Sequence, residues 1–589
     1  MQGASLRKHL KKESNLTSRR DFIKLAGFCT FSGMFHGCRG RSRQAQKSLP
    51  PNIILIMADD MGYSNIGCYG GEIETPTLDQ LAADGLRFTK FYNNPLCCPT
   101  RAALITGIYP HQTGIGWMNY DAGIPGYRGD LNRNCVTIAE VLKTVGYRTY
   151  ISGKWHLTTH YGHWVDNKEH TSKHNWPLQR GFDRFYGVID GTSNYFQPFS
   201  LVKDNEPLPL DMSEDYYLTD AITDHAVRCI EESSAHTPFF SYVAYTVPHW
   251  PLHAFPEDIA KYKGRFDDGW DTLREEKFRR MVNMGIIDPI WGISDRDSGT
   301  GPFKSEEHSA WRLRCMEVYA AMIDRMDQNI GRIVGALKRT GKLENTIIFF
   351  LSDNGGQAGE LGKGVGMKRY TPIAARDGRP MHPGNDPIIM PGPEDTYQSY
   401  GTGWANLSNT PFRKFKTWVY EGGISTPLIV YWPAGISAKG ELRRHVGHVM
   451  DIMPTCCELA GATYPVKYLG NTIQPPEGIS LVPAFRDEPL ERDALFWEIA
   501  GHRAVRKGKW KLLAARNSDW ELYDIEADRT ERNNLSRIYP DKAAELESLY
   551  NTWATRCGVK PWSEVYEASG AASKRIDKFT HEYRKKMQQ

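Results

Sequence analysis

The sequence predicts an α/β protein: a large, mostly parallel sheet sandwiched by helices, followed by a smaller antiparallel sheet with one helix. Continuous apolar runs rich in branched and aromatic residues stand at 52–58, 239–247 and 346–351, the pattern of strands buried on both faces. Segments with helical spacing lie between and around them, at 78–85, 136–146 and 311–338, and the methionines of the last read as core filling. After a polar connector at 486–492 the pattern changes. Short strands at 494–498, 503–506, 510–514 and 521–523, separated by turn residues, lead to an amphipathic helix over 541–555.

The expected organisation is a signal and linker over 1–48, a catalytic domain over 49–488 and a C-terminal subdomain over 489–589. Within the first segment, Arg19-Arg20 ahead of a short apolar core resembles a twin-arginine export signal, too short to span a membrane. Cys38 is a candidate lipidation site. A periplasmic or cell-surface protein is therefore expected, meeting a membrane only through that signal or a lipid anchor. A net charge of +4 over 589 residues implies no nucleic-acid partner. The 11 cysteines are odd in number and unevenly spaced, which argues against a disulfide framework and for buried apolar use.

The first apolar run ends in Asp59-Asp60, where open α/β sheets place their ligands. Mutual repulsion of the two carboxylates is relieved by calcium or magnesium, although a solvated turn into Met61-Gly62 fits these two residues equally well. Cys97-Cys98-Pro99-Thr100-Arg101 precedes an apolar helix start, where Pro99 is tolerated and anions are favoured. Taken alone, it suggests a cysteine nucleophile. A strand at 148–152 runs into Gly153-Lys154-Trp155-His156, and an extended chain would point Lys154 and His156 to the same side. Prolines hold His249 at the end of the run 239–247. The third apolar run closes with Ser352-Asp353-Asn354-Gly355-Gly356, so Asp353 and Asn354 can complete a cation site with Asp59 and Asp60. Arg413-Lys414-Phe415-Lys416 leads to Gly422-Gly423, which suits anion binding or an exposed basic turn. His160, His163, His170 and His174 fit no short zinc motif, and the glycine-rich run 362–366 reads as a cleft loop.

Six motifs occur in order: Ala58-Asp59-Asp60-Met61-Gly62, Cys97-Cys98-Pro99-Thr100-Arg101 with Thr106-Gly107, Gly153-Lys154-Trp155-His156, Pro248-His249, Ser352-Asp353-Asn354-Gly355-Gly356, and Phe412-Arg413-Lys414-Phe415-Lys416 with Glu421-Gly422-Gly423. On these the chain, from about Pro51 onward, resembles the sulfatase family, bacterial arylsulfatase type. The resemblance implies an alkaline-phosphatase-like fold and a calcium-dependent sulfuric ester hydrolase acting on aryl or carbohydrate sulfates. A maturation enzyme that reads Cys-x-Pro-Ser/Thr-Arg would oxidise Cys97 to formylglycine, Thr100 being an accepted variant, and Cys98 would be an ordinary thiol. Calcium would be held by Asp59, Asp60, Asp353, Asn354 and the modified Cys97. Arg101 and the ion would activate one hydroxyl of the hydrated aldehyde, and Lys154, Lys416 and His249 would offset charge on the sulfuryl group. His249 or Lys416 would protonate the leaving oxygen, and His156 would deprotonate the second hydroxyl. The same residues admit a formylglycine-dependent phosphonate monoester or phosphodiester hydrolase, and a non-catalytic sulfoglycan-binding protein in which Cys97 stays a thiol. Specificity is expected from loops at about 157–180, 255–310 and 360–405.

Overall fold

The computed structural model describes residues 49–159, 172–198, 200–209, 213–362, 371–372 and 374–571. The twin-arginine segment, Cys38, His160, His163, His170 and residues 363–366 of the glycine-rich run lie outside the described residues.

Ten strands form the main sheet: β1 (Asn52–Ala58), β2 (Leu86–Tyr92), β3 (Arg148–Gly153), β4 (Arg184–Val188), β5 (Leu201–Lys203), β6 (Glu206–Pro207), β7 (Phe239–Ala244), β8 (Thr346–Ser352), β9 (Leu428–Tyr431) and β10 (Glu441–His448). Their order is β10-β2-β9-β8-β1-β7-β3-β4-β5-β6. The three apolar runs are its centre, β1 lying parallel to both neighbours with Leu55 opposite Tyr242 on β7 and Phe349 on β8. Only β9 and β5 run against the rest.

Alternation along β1 feeds two separate cores. Ile53, Leu55 and Met57 join the cluster on one face, and Ile54, Ile56 and Ala58 the cluster on the other. Each fully buried Leu or Ile contributes about 1.5–3 kcal/mol, so a one-residue slip of β1 would exchange every such contact. The helices α1 (Pro76–Ala83), α2 (Cys97–Thr106), α3 (Ile138–Lys143), α4 (Leu218–Glu232), α5 (Gly269–Asn283), α6 (Ser309–Arg339) and α7 (Ile452–Ala460) cover these faces. On the first face lie α2, α3 and α7; α1, α4, α5 and α6 lie on the second.

The structure departs from the sequence expectation in three places. The segment 255–310 is not simply a loop, because α5 occupies its middle with Trp270, Leu273 and Met281 buried among many charges. The end of the loop expected at about 360–405 instead starts a helix, Gly401–Ser408, with Trp404 and Leu407 buried. The strand expected over 239–247 ends at Ala244.

The C-terminal sheet is a meander of β11 (Leu495–Ile499), β12 (His502–Lys507), β13 (Trp510–Ala514) and β14 (Glu521–Asp524), followed by α8 (Pro540–Cys557). Trp497 Nε1 donates to the Asn93 carbonyl at 2.8 Å, tying β11 to the end of β2. A buried charge cluster makes a second tie. Lys511 Nζ on β13 lies 2.9 Å from Glu421 and 2.8 Å from Glu531, and Arg529 Nε lies 2.8 Å from Glu421. The nine described cysteines are all free and buried, in line with their reading as apolar residues. Among the described residues no helix is long and apolar enough to cross a membrane.

Candidate active site

The neighbouring parallel strands β8, β1, β7 and β3 end side by side, and the segments leaving them carry the predicted residues: Asp353 and Asn354 after β8, Asp59 and Asp60 after β1, His249 after β7, Lys154 and His156 after β3. The first turn of α2 adds Cys97 and Arg101, and the loop ahead of β9 adds Lys416. None is more than 6 % exposed. α2 is buried along its whole length and stops at Gly107, whose φ of +75° and contact with Met453 both require glycine.

Three cations converge on the carboxylates. Lys154 Nζ lies 2.7 Å from Asp59 Oδ2, and Lys416 Nζ lies 2.7 Å from Asp60 Oδ1. Arg101 Nη2 sits 2.8 Å from Asp353 Oδ2 and 3.6 Å from Asp59 Oδ1. Asn354 Nδ2 donates to Asp60 Oδ1 at 2.7 Å, and the Asp60 N–H donates to Asp353 Oδ1 at 3.1 Å. Asp60 takes a φ of +66°, a left-handed conformation that only a well-tied residue keeps. The turn reading of Asp59-Asp60 thus gives way to a ligand reading, since both are buried rather than solvated.

The donor set fits a hard divalent cation. Asp59 Oδ1 and Asn354 Oδ1 are buried without a hydrogen-bond partner, an arrangement that costs about 1–3 kcal/mol per group unless something else binds them. Burial beside the Asp59 charge pushes the Asp353 carboxyl up to about 7, although Arg101 opposes it. Oxygen ligands in such number suit calcium or magnesium rather than zinc. Asp59, Asp60 and His249 also present ligand atoms within 4.8 Å of one another, so His249 borders the candidate cation site.

Cys97, Cys98 and His156 form a second cluster, their sulfur and nitrogen atoms all within 4.8 Å. Cys98, expected to be an ordinary thiol, has its Sγ 3.0 Å from His156 Nε2. A hydrogen bond from Cys98, with Lys154 and Lys416 nearby, pulls the Cys97 thiol well below its usual range, while burial pushes Cys98 well above. Burial lowers His156, against the Cys97 charge. Burial also takes His249 down to about 3, against Asp60. For Lys416 burial favours the neutral amine, yet Asp60 more than compensates and the group is raised.

Lys154 and His156 reach the site differently from the expectation. His156 has a φ of +59°, so the chain has turned out of the extended form between them. Gly422 and Gly423 are not an anion cradle: an added Cβ would lie 2.3 Å from the Lys414 carbonyl oxygen at Gly422 and 2.0 Å from that of Trp418 at Gly423. The glycines let the segment carrying Lys416 pack against α-helical turn Glu421–Ile424. Arg413 and Lys414 are spent elsewhere, on the Glu531 carbonyl and on Asp297.

Sequence reasoning missed several supports. Tyr242 on β7 brings its hydroxyl within 3.4 Å of Arg101 Nη1, Asn409 Oδ1 accepts from the Gly356 N–H at 2.9 Å, and Thr192 Oγ1 lies 3.4 Å from His249 Nδ1. For Thr192 a signal existed: Asp190-Gly191-Thr192-Ser193-Asn194 is a polar turn sequence following a strand. Gly191 lies against the His156 ring, 2.3 Å from where its Cβ would be.

Carboxylates, cations and the start of α2 gathered at the ends of a mostly parallel sheet define a hydrolase of the alkaline-phosphatase-like class. The chain belongs to the sulfatase family, whose profile, described as "Sulfatase", matches residues 51–462, and it is a sulfuric ester hydrolase. A second profile, N-sulphoglucosamine sulphohydrolase, C-terminal, matches residues 412–551. An uncharacterised sulfatase of Schizosaccharomyces pombe is 31 % identical over 88 % of this chain and 96 % of its own. An arylsulfatase of Klebsiella aerogenes is 31 % identical over 75 % of this chain and 93 % of its own. The solved structure of Ps i-CgsB in complex with k-i-k-neocarrahexaose superposes with a TM-score of 0.60 at 25 % identity, covering 86 % of this chain and 93 % of that one.

Proposed function

We propose that the chain is a calcium-dependent sulfatase, matured by conversion of Cys97 to formylglycine, that releases sulfate from sulfated carbohydrates. The observation that carries this reading is the pair of oxygens without a hydrogen-bond partner, Asp59 Oδ1 and Asn354 Oδ1, buried in a carboxylate cluster beside the helix that starts at Cys97. Asp59, Asp60, Asp353 and Asn354 would hold the ion, which supplies Lewis acidity toward a sulfate oxygen. Formylglycine, when hydrated, supplies two hydroxyls on one carbon, one to attack sulfur and one to expel sulfate.

The chain's own groups do the rest. Arg101 is tied to Asp353 and Asp59, so it orients the ligand carboxylates and sets a fixed positive charge beside residue 97. Lys154 Nζ and Lys416 Nζ are the cations able to turn from Asp59 and Asp60 toward sulfuryl oxygens. His156 Nε2, kept neutral by burial, accepts a proton at residue 97. The proton for the leaving oxygen comes from Lys416 Nζ, held charged by Asp60; His249, whose Nδ1–H donates to the Trp250 carbonyl at 2.7 Å, is kept neutral by burial and presents only a lone pair at Nε2.

A carbohydrate substrate is supported by the oligosaccharide named in the i-CgsB complex. Export is supported by Arg19-Arg20 ahead of an apolar core and is tested by cell fractionation. The deciding experiment is a mass spectrum of the peptide containing residue 97 from protein co-produced with a formylglycine-generating enzyme, alongside turnover of nitrophenyl sulfate. Aldehyde at residue 97, with activity lost to a calcium chelator and restored by calcium, is expected. Active protein with an intact thiol, activity indifferent to the chelator, or a preference for a phosphonate monoester would overturn the reading.

A further inference from the structure

A cleft of about 950 Å³ opens between the C-terminal sheet, the end of α8 and the segment after it. Arg503, Arg516 and Lys560 line it together with Tyr550, Trp562 and Tyr566. Its charge is unusual for a surface cleft. Among the described residues none of the three cations forms an ion pair, and Arg503 Nε is buried with no hydrogen-bond partner, its guanidinium instead lying 4.3 Å over the ring of Trp520. The one carboxylate in the lining, Glu498, is committed to His111 Nε2 at 2.8 Å and to the Gly501 N–H at 2.8 Å.

The aromatic side is held in place. Trp562 meets Trp117 edge-on at 4.7 Å, and Tyr566, 66 % exposed, lies 5.8 Å from Trp562. Gly501, at the β11–β12 turn with a φ of +83°, lets Arg516 and Trp562 approach the hairpin, for an added Cβ there would meet both within 3.2 Å. A ring face beside unpaired guanidinium and ammonium groups suits a flat, hydroxyl-bearing ring that carries anions. By contrast, the other large cleft has its Arg376 and Arg379 neutralised by Glu394, Asp377 and Asp395.

Two packing contacts run from the cleft wall toward the segments that carry His156 and Lys416. Beyond Trp117, Asn119 Nδ2 donates to the Thr158 carbonyl at 3.3 Å, just past His156. His502, next to Arg503, packs at 4.6 Å on Trp418, just past Lys416.

We propose that this cleft binds a sulfated sugar unit distant from the one being hydrolysed, making the preferred substrate an oligosaccharide with more than one sulfate. This rests on the sulfated-carbohydrate reading above, and the test separates the two. Full-length Cys97→Ala protein is titrated calorimetrically with a carrageenan hexasaccharide and a heparin-derived hexasaccharide, each also in desulfated form. At least one sulfated hexasaccharide is expected to bind, its desulfated form about tenfold more weakly, and Arg516→Glu, at an exposed position, to weaken binding by about tenfold. In matured protein, Arg516→Glu and Lys560→Ala should each raise KM for that hexasaccharide by about tenfold and leave kcat/KM for nitrophenyl sulfate within about twofold. Failure of both sulfated hexasaccharides to bind, or undiminished binding by both variants, overturns the proposal. Absence of any sulfate release by matured protein would instead overturn the proposed function, while the binding titration still decides the cleft.

Discussion

Cys98 Sγ lies 3.0 Å from His156 Nε2, and the other ring nitrogen, Nδ1, is buried with no hydrogen-bond partner. The imidazole proposed above to accept a proton at residue 97 is therefore oriented by the neighbouring thiol and by the wall at Gly191. Cys98→Ser keeps a hydrogen-bonding atom and should hold kcat within a few-fold. Cys98→Val removes the thiol that holds the ring and should lower kcat by roughly 10–100-fold at little change in KM, a part of the roughly 10²–10⁴-fold that general acid–base catalysis supplies. Steady-state kinetics on samples matched for residue 97 conversion check this, and equal losses in both variants would count against a positioning role.

Replacing Cys97 by serine tests the need for two hydroxyls on one carbon. Serine offers one, so Cys97→Ser should attack once and retain sulfate as a stable ester, visible as an intact-mass increase of one sulfate group after exposure to nitrophenyl sulfate. Cys97 is 2 % exposed and close in size to serine, so thermal unfolding should shift little. Full multiple-turnover activity in Cys97→Ser would refute the two-hydroxyl chemistry.

Gly355 separates Asn354, proposed above to hold the cation, from the segment that follows Lys416. An added Cβ would sit 1.9 Å from the Gly422 carbonyl oxygen and 3.0 Å from Asn409 Oδ1, so Gly355→Ala must push the two segments apart. Overpacking of this kind costs about 1–3 kcal/mol, and here it also displaces Asn354 from Asp60. The expected outcome is a lower unfolding midpoint and at least about a tenfold loss in calcium affinity, read from the calcium dependence of the melting temperature.

How much of this was legible follows from the environment of each strand. β1 and β8 sit in mid-sheet with both faces covered, so almost every residue is apolar and the run declares itself. β2, with Arg87 and Lys90 interleaved, and β10, an edge strand with Glu441, Arg443 and Arg444, carry no such run. Their assignment depends on the partner strand rather than on composition. The site shows the same division. Asp59, Cys97, Lys154, His249 and Asp353 stand in motifs at or just past strand or helix ends and Lys416 in a loop motif, while Tyr242 and Asn409 become legible only once β7 and the 401–408 helix are placed.

The C-terminal sheet is fastened to the main domain by charge buried away from water. Lys511 Nζ bridges Glu421 and Glu531, and Glu421 also accepts from Arg529 and from the Tyr92 hydroxyl at 2.8 Å. Against burial, which raises it, Lys511 and Arg529 hold the Glu421 carboxyl below its usual range. Lys511→Met leaves the buried Glu531 without its cation, Glu421 keeping Arg529, and should cost about 3–5 kcal/mol, measured by urea unfolding. The exposed pair Arg486 and Glu488 is the control, and Arg486→Ala should leave the midpoint unchanged.

His253 gives a pH dependence with a defined sign. Its Nε2 lies 2.8 Å from the Thr396 carbonyl and its Nδ1 3.4 Å from the Tyr195 N–H, so the neutral ring donates at Nε2 and accepts at Nδ1. A second proton would set two donors face to face, and burial lowers the group from 6.5 to about 4. The unfolded chain therefore takes up this proton first as pH falls. The contribution is fully present above about pH 6.5 and is lost progressively down to about pH 4, of order 3 kcal/mol at 1.36 kcal/mol per pH unit. His253→Gln, which can still donate to Thr396 but does not titrate, should flatten the loss of stability over that window by up to one proton's worth of slope. Unfolding midpoints in denaturant at a series of pH values measure it, and an unchanged slope would show that His253 is not the group responsible.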